Sequence, residues 1–210
     1  MTDRTEALEA RIATLEARIA RLEDTDTIKR LQRIYGYYLD KALWDEMVAL
    51  FTEDGEAEIG GFGVFRGKAR IRQLFRDKIG QGKDGLPHGR LLNHLQLQGV
   101  VTVAEDGQTA KGRWRAFVMF GQYGEGSHWA EGPYEMQYAK GADGVWRISR
   151  LHWFSTFYTN YKTGWAEESR PRKPVDPAFP PDAPPTIEYE NYPTPFTPPF
   201  HYDNPGRSQD

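Results

Sequence analysis

The 210-residue sequence predicts an α+β domain in which a strongly curved antiparallel sheet wraps around N-terminal helices, with one extra helix in front and a proline-rich extension behind. Three observations predict it. Helix-period apolar stripes dominate the first fifty residues, strand-like runs separated by Gly/Asp turns fill residues 93–158, and from Arg170 onward proline is too dense for regular structure.

Leu8, Ile12, Leu15, Ile19 and Leu22 step by four and three, the seam of a coiled coil. Ile12 and Ile19 take the a positions and the leucines take d. Arg11 and Arg18 then fall at g with Glu16 and Glu23 at the facing e positions of a parallel copy. The expected partner is the chain itself, as a homodimer or homotrimer. Asp24-Thr25-Asp26 offers an N-cap for a second helix from about Thr27, whose stripe of Ile28, Leu31, Tyr35, Tyr38 and Ala42 packs on the domain with Asp40 at its border. Trp44 to Phe51 continues as a short helix, and Thr52-Glu-Asp-Gly55 reads as a turn. A hairpin over 56–65, a third helix from Gly67 to Ile79 and a loop from Gly80 to Gly89 follow.

Strands are expected over Asn93–Val103, Thr109–Tyr123, Ser127–Tyr138 and Val145–Tyr158, joined by Glu105-Asp106-Gly107, Gly124-Glu-Gly126 and Gly141-Ala-Asp-Gly144. The tail keeps Phe179, Tyr189, Tyr192, Phe196, Phe200 and Tyr202, enough rings to pin it as an extended strap across a neighbour. The organisation is therefore a coiled-coil helix over 1–25, a core domain over 26–168 and a Pro/aromatic-rich strap over 169–210.

A formal net charge of -3, with bases scattered among acids, gives no reason to expect a nucleic-acid partner. No run approaches the length of a membrane span and the N-terminus lacks a signal-peptide core, so a cytoplasmic protein is expected. Zero cysteines removes thiol nucleophiles, disulfides and thiolate metal sites. His88, His128, His152 and His201 lie apart, and no His/Asp/Glu spacing matches a zinc or iron site, so no metal and no cofactor is expected.

The informative pair is Asp40, ending the Tyr-rich helix, and His94, opening an apolar strand. A neutral imidazole is a base near pH 7 when a carboxylate accepts from one ring nitrogen and leaves the other free. Charge left on a substrate oxygen then needs a preplaced donor, for which Tyr35 and Tyr134 are candidates. Strand alternation puts Trp114, Ala116 and Val118 on one face and Lys111, Arg113 and Arg115 on the other. If the apolar set faces the core, the arginines look toward a partner sheet or pair with Glu131 and Glu135, and an oxyanion role for Arg115 is the alternative.

Tyr35-Gly-Tyr-Tyr-Leu-Asp40 with Trp44-Asp45, then Leu50 through Gly67, then Asp143-Gly-Val-Trp-Arg-Ile, in that order and spacing over about residues 28 to 165, resemble the SnoaL-like branch of the nuclear transport factor 2-like superfamily. The resemblance implies a cone-shaped α+β barrel with a ligand held at its open end. Within the superfamily the Asp followed four residues later by Trp resembles scytalone dehydratase and hexachlorocyclohexane dehydrochlorinase, in which an Asp and a His form a proton-abstracting dyad. By that resemblance Asp40 is the acid and His94 the base. Tyr134, Trp114, Ile59, Tyr37, Trp44, Leu151 and Arg115 would then surround the substrate. The chain departs from both: Trp114 to Phe120 lacks the second histidine of the dehydratase, and Tyr35 stands where the dehydrochlorinase has a lysine. Cofactorless lyases that release formaldehyde from lignin-derived diarylpropanes share the fold. The expected function is a cofactor-independent lyase on a small aromatic or lignin-derived two-ring substrate. The alternatives are an isomerase of the same chemistry, a non-catalytic ligand-binding module, or the small subunit of a ring-hydroxylating oxygenase.

Overall fold

The computed structural model describes residues 2–207. Its elements in order are helix α1 (Thr2–Asp40), α2 (Trp44–Ala49), strands β1 (Phe51–Ile59) and β2 (Val64–Arg66), α3 (Gly67–Arg72) running into a π-helical stretch (Gln73–Ile79), then β3 (Arg90–Val103), β4 (Thr109–Gln122), β5 (Gly126–Lys140), β6 (Trp146–Trp153) and β7 (Phe157–Asn160). The sheet order is β2-β1-β6-β5-β4-β3, with β7 pairing the first part of β5. The α+β cone is as expected, but the sheet stays open between β2 and β3, and its β1–β6 pair is parallel.

Alternation along β4 decides the packing. Ala110, Trp114, Ala116 and Val118 are buried against α1 and the core, while Lys111 and Arg115 face outward. Arg113 and Arg115 pair with Glu135 and Glu131 of the neighbouring β5. Arg113 also donates to the carbonyls of Pro198 and Pro199 at 2.7 and 3.0 Å. Arg115 plays no part in the cavity.

α1 is one helix. The N-cap expected at residues 24–26 does not form, because Asp24 is spent sideways, accepting from Lys140 Nζ and Trp146 Nε1 at 2.8 Å each. Thr25 bonds back to the Arg21 carbonyl within the helix. This clamp fixes the point where α1 leaves the domain, and the seam residues Leu8, Ile12, Leu15, Ile19 and Leu22 before it are exposed. Further along, Gly36 lets β3 approach: a Cβ there would stand 2.9 Å from Gln96 Cγ and 3.5 Å from the His94 carbonyl oxygen.

Three other expectations change. Thr52 to Gly55 is not a turn but lies in β1, which bulges between Phe51 and Glu56. The last strand breaks at Phe154–Thr156, where β5 exchanges β6 for β7 as its neighbour. The strap crosses its own domain. Val64 and Ala183 form a bridge, Glu58 accepts from the Thr186 backbone and hydroxyl at 2.8 and 2.7 Å, and the Tyr189 hydroxyl accepts from the Ser155 N–H at 2.9 Å. Phe179 packs on Phe65, and Phe200 lies 4.1 Å from the Arg113 guanidinium.

Candidate functional site

The last turn of α1 carries Asp40 onto β3. One carboxylate oxygen, Oδ1, accepts from the His94 backbone N–H at 2.6 Å and stands 3.1 Å from His94 Nδ1. A carboxylate only accepts, so Nδ1 carries the hydrogen and Nε2 keeps a free lone pair. Both side chains are mostly buried, 15% and 16% exposed, which sets the pair in a poorly screened environment.

A buried polar chain holds β3 in place behind this pair. Trp114 Nε1 donates to the Tyr138 hydroxyl (3.0 Å), which donates to Gln32 Oε1 (2.7 Å); Gln32 Nε2 donates to Gln96 Oε1 (2.8 Å), and Gln96 Nε2 reaches the His94 carbonyl (3.3 Å). Gln32 is fully buried, so its satisfied amide is an anchor between helix and strand rather than a solvated side chain. Sequence reasoning missed Gln32 and Gln96; the signal was a glutamine on the apolar stripe, one position after Leu31.

His94 opens on a cavity of about 1180 Å³. Asp40 does not line it and sits behind the imidazole. The deep wall is a run of touching rings. Tyr134 meets Trp153 at 6.3 Å, Trp153 meets Tyr158 edge-on at 5.6 Å, and Tyr158 meets Phe120 edge-on at 6.3 Å. Ile59 and Trp44 line it as expected, Trp44 being fixed by an Nε1 bond to the Lys83 carbonyl at 2.7 Å. Burial holds the Tyr134 phenol neutral, far above its usual range. Tyr158 is held neutral by burial in the same way.

Other expected residues lie elsewhere. Tyr37 is 71% exposed, because it falls on the solvent side of α1. Trp114 turns away beneath β3, filling the space beside Gly99. Leu151 is wholly buried in the core, off the cavity wall. Tyr35 is also buried off the wall, its ring edge-on to Tyr134 at 6.0 Å and its hydroxyl without a hydrogen bond to any described residue. Wall residues not foreseen include Phe120, Trp153, Tyr158 and Arg90, together with strap residues between Arg170 and Phe179. Among the described residues no group of three or more His, Asp or Glu side chains is placed to hold a metal ion. No helix among them is long and apolar enough to cross a membrane.

Residues 20–152, from the domain-bound half of α1 to β6, match the family model of the SnoaL-like domain. The chain belongs to the SnoaL-like family. No curated protein matches it. Solved structures with the same nuclear transport factor 2-like fold include a putative scytalone dehydratase from Novosphingobium aromaticivorans DSM 12444, with TM-score 0.58 and 22% identity over 74% of this chain and 95% of that one. Others are a hexachlorocyclohexane dehydrochlorinase, LinA-type3, from Novosphingobium barchaimii LL02 (TM-score 0.58, 19% identity, 68% and 92% covered) and an NTF2-like protein with a cystatin-like fold from Novosphingobium aromaticivorans (0.53, 25%, 68% and 88%). The SnoaL-like match ends before β7 and the strap, so the strap wall of the cavity lies outside the family segment.

Proposed function

We propose that this SnoaL-like chain is a cofactor-independent lyase acting on an aromatic substrate of one or two rings. The observation that carries the reading is a base geometry: His94 lines a ring-rich cavity that Asp40 does not reach, and Asp40 engages its Nδ1, leaving Nε2 for a substrate. In this reading Nε2 takes a proton from the substrate, the freed electron pair forms the new double bond, and the leaving group departs with its own pair. The imidazolium then returns the proton to the departing oxygen, so water leaves as a neutral molecule. For loss of formaldehyde the proton comes instead from a hydroxymethyl O–H, whose pair forms the C=O of formaldehyde; the pair of the breaking carbon–carbon bond forms the new C=C bond, and the neighbouring hydroxyl leaves as water with the proton returned by the imidazolium. Asp40 steadies the imidazolium, and Tyr134, a neutral donor on the wall, bonds the oxygen on which charge develops. Neighbours named as a dehydratase and a dehydrochlorinase support an elimination, at the level of a shared fold.

The test is conversion of a panel of aromatic β-hydroxycarbonyl and diaryl compounds by wild type and by His94→Gln. Turnover is expected to fall about a hundredfold or more in the variant with an unchanged circular-dichroism spectrum. Equal turnover would falsify the reading. A product of the same mass as its substrate would move the assignment to an isomerase using the same base.

The same chain is proposed to self-associate through α1. The exposed apolar residues Leu8 to Leu22 lie on one seam, and Arg11/Glu16 and Arg18/Glu23 complement each other between parallel copies.

A further inference from the structure

Arg90, on the cavity wall, has no counter-ion among the described residues. Arg90, Leu92 and His94 occupy alternate positions of β3 and all line the cavity, because successive side chains point to opposite faces. Arg90 therefore stands about 13 Å from His94 along the same wall, roughly the span of a two-ring molecule. Its side chain is partly buried and makes no hydrogen bond or ion pair with any described residue. A guanidinium is always charged, and removing it from water without a partner is unfavourable until an anion arrives.

The surroundings add positive charge from the strap. Lys173 lines the same cavity and has no ion pair among the described residues. Arg170 also lines it, donating to Glu168 Oε1 and Asn160 Oδ1 at 3.0 Å each. Of the wall's acids, Asp176 is taken by Lys78 and Asp77 by Arg76, which leaves Glu125 on the exposed turn after β4. Both arginines act on His128, whose pKa is lowered first by burial and then by Arg170, with Glu168 opposing and Arg90 adding to the lowering. His128 stacks on Phe120, the ring at that end of the aromatic wall.

We propose that Arg90, with Arg170 and Lys173 of the strap, forms an anion subsite, and that the substrate is an aromatic carboxylate whose reacting carbon lies at His94. The proposal rests on the lyase reading for the role of His94 and names the polar end of the substrate. The strap residues lie beyond the family segment, so this subsite is an addition of this chain to the SnoaL-like cone.

The experiment is binding, which separates it from turnover. Affinities of para-phenylbenzoate and the neutral para-phenylbenzamide are measured by quenching of the cavity tryptophans in wild type, Arg90→Gln, Arg90→Lys and His94→Gln. Wild type is expected to prefer the carboxylate by about tenfold or more at low salt. Arg90→Gln is expected to remove that preference and leave the affinity for the amide unchanged, with Arg90→Lys keeping part of it. Equal affinity of wild type for the two compounds overturns the proposal. So does a preference that survives Arg90→Gln and disappears in His94→Gln, since the anion would then sit on the imidazole. Either result leaves the lyase reading to its own turnover test.

Discussion

Asp40 holds His94 twice through a single oxygen, once at the backbone N–H (2.6 Å) and once at Nδ1 (3.1 Å). The first bond fixes β3 at His94 relative to the end of α1, and the second fixes the ring. Asp40→Asn keeps an oxygen for the backbone bond and removes the charge. Turnover is expected to fall by about 10²–10⁴ with little change in melting temperature. Asp40→Ala strands the backbone N–H as well and is expected to cost about 1–3 kcal/mol of stability by denaturant titration. An Asp40→Asn variant as active as wild type would show that the carboxylate is merely structural.

Tyr35 and Tyr134 are expected to separate on mutation. The Tyr35 hydroxyl is buried and unbonded, so Tyr35→Phe is expected to hold or gain stability and retain most activity. Tyr134→Phe removes the wall donor and is expected to lower kcat about tenfold to a thousandfold with KM nearly constant. Comparing the two by steady-state kinetics and thermal melts decides which phenol meets the substrate.

Gly36→Ala gains about 0.5–1 kcal/mol in helix preference, yet its Cβ would press Gln96 Cγ at 2.9 Å. Overpacking of this kind costs about 1–3 kcal/mol, so a net loss near 1 kcal/mol is expected in a urea titration. Because the displaced strand carries His94, activity is expected to drop further than stability alone explains. A variant more stable and equally active would show that β3 can shift without consequence.

Stability should weaken in mild acid through His152, which stacks on Phe154 at 3.7 Å. Burial first, then Arg150 and Arg172, push its pKa from 6.5 down to about 3, despite Glu58 at 3.4 Å, whose carboxylate is already engaged by Thr186. Below pH 6.5 the unfolded chain binds a proton that the native chain does not, so stability falls from there toward about pH 3 and the loss is complete below it. In His152→Gln the dependence of unfolding free energy on pH in that window is expected to flatten by up to about 1.4 kcal/mol per pH unit. Superimposable pH profiles of the two proteins would mean that His152 protonates alike in both states.

Replacing Ile12 and Ile19 by Asp puts charges into the proposed seam. Sedimentation equilibrium is expected to show an oligomer for wild type and a monomer for the double variant, with the domain's melting transition retained. Unchanged mass would place any association elsewhere on the surface.

The chain's own order of residues determined a good deal. Helix and strand periods are local, so the α+β class, the strand-rich second half and the acid-ended helix followed by His94 could be read directly. Tertiary contacts decided the rest. Tyr37 and Tyr35 sit two residues apart on one helix, yet one is solvated and the other buried, because the rotation of α1 is set by Asp24, Gly36 and Gln32 meeting distant strands. The same holds for the cavity: Arg90 and Lys173 are 83 positions apart, and only the strap's path over β1 brings both to one cavity. Period and turn chemistry act between near neighbours, whereas a cavity is enclosed by segments whose separation along the chain carries no local signal.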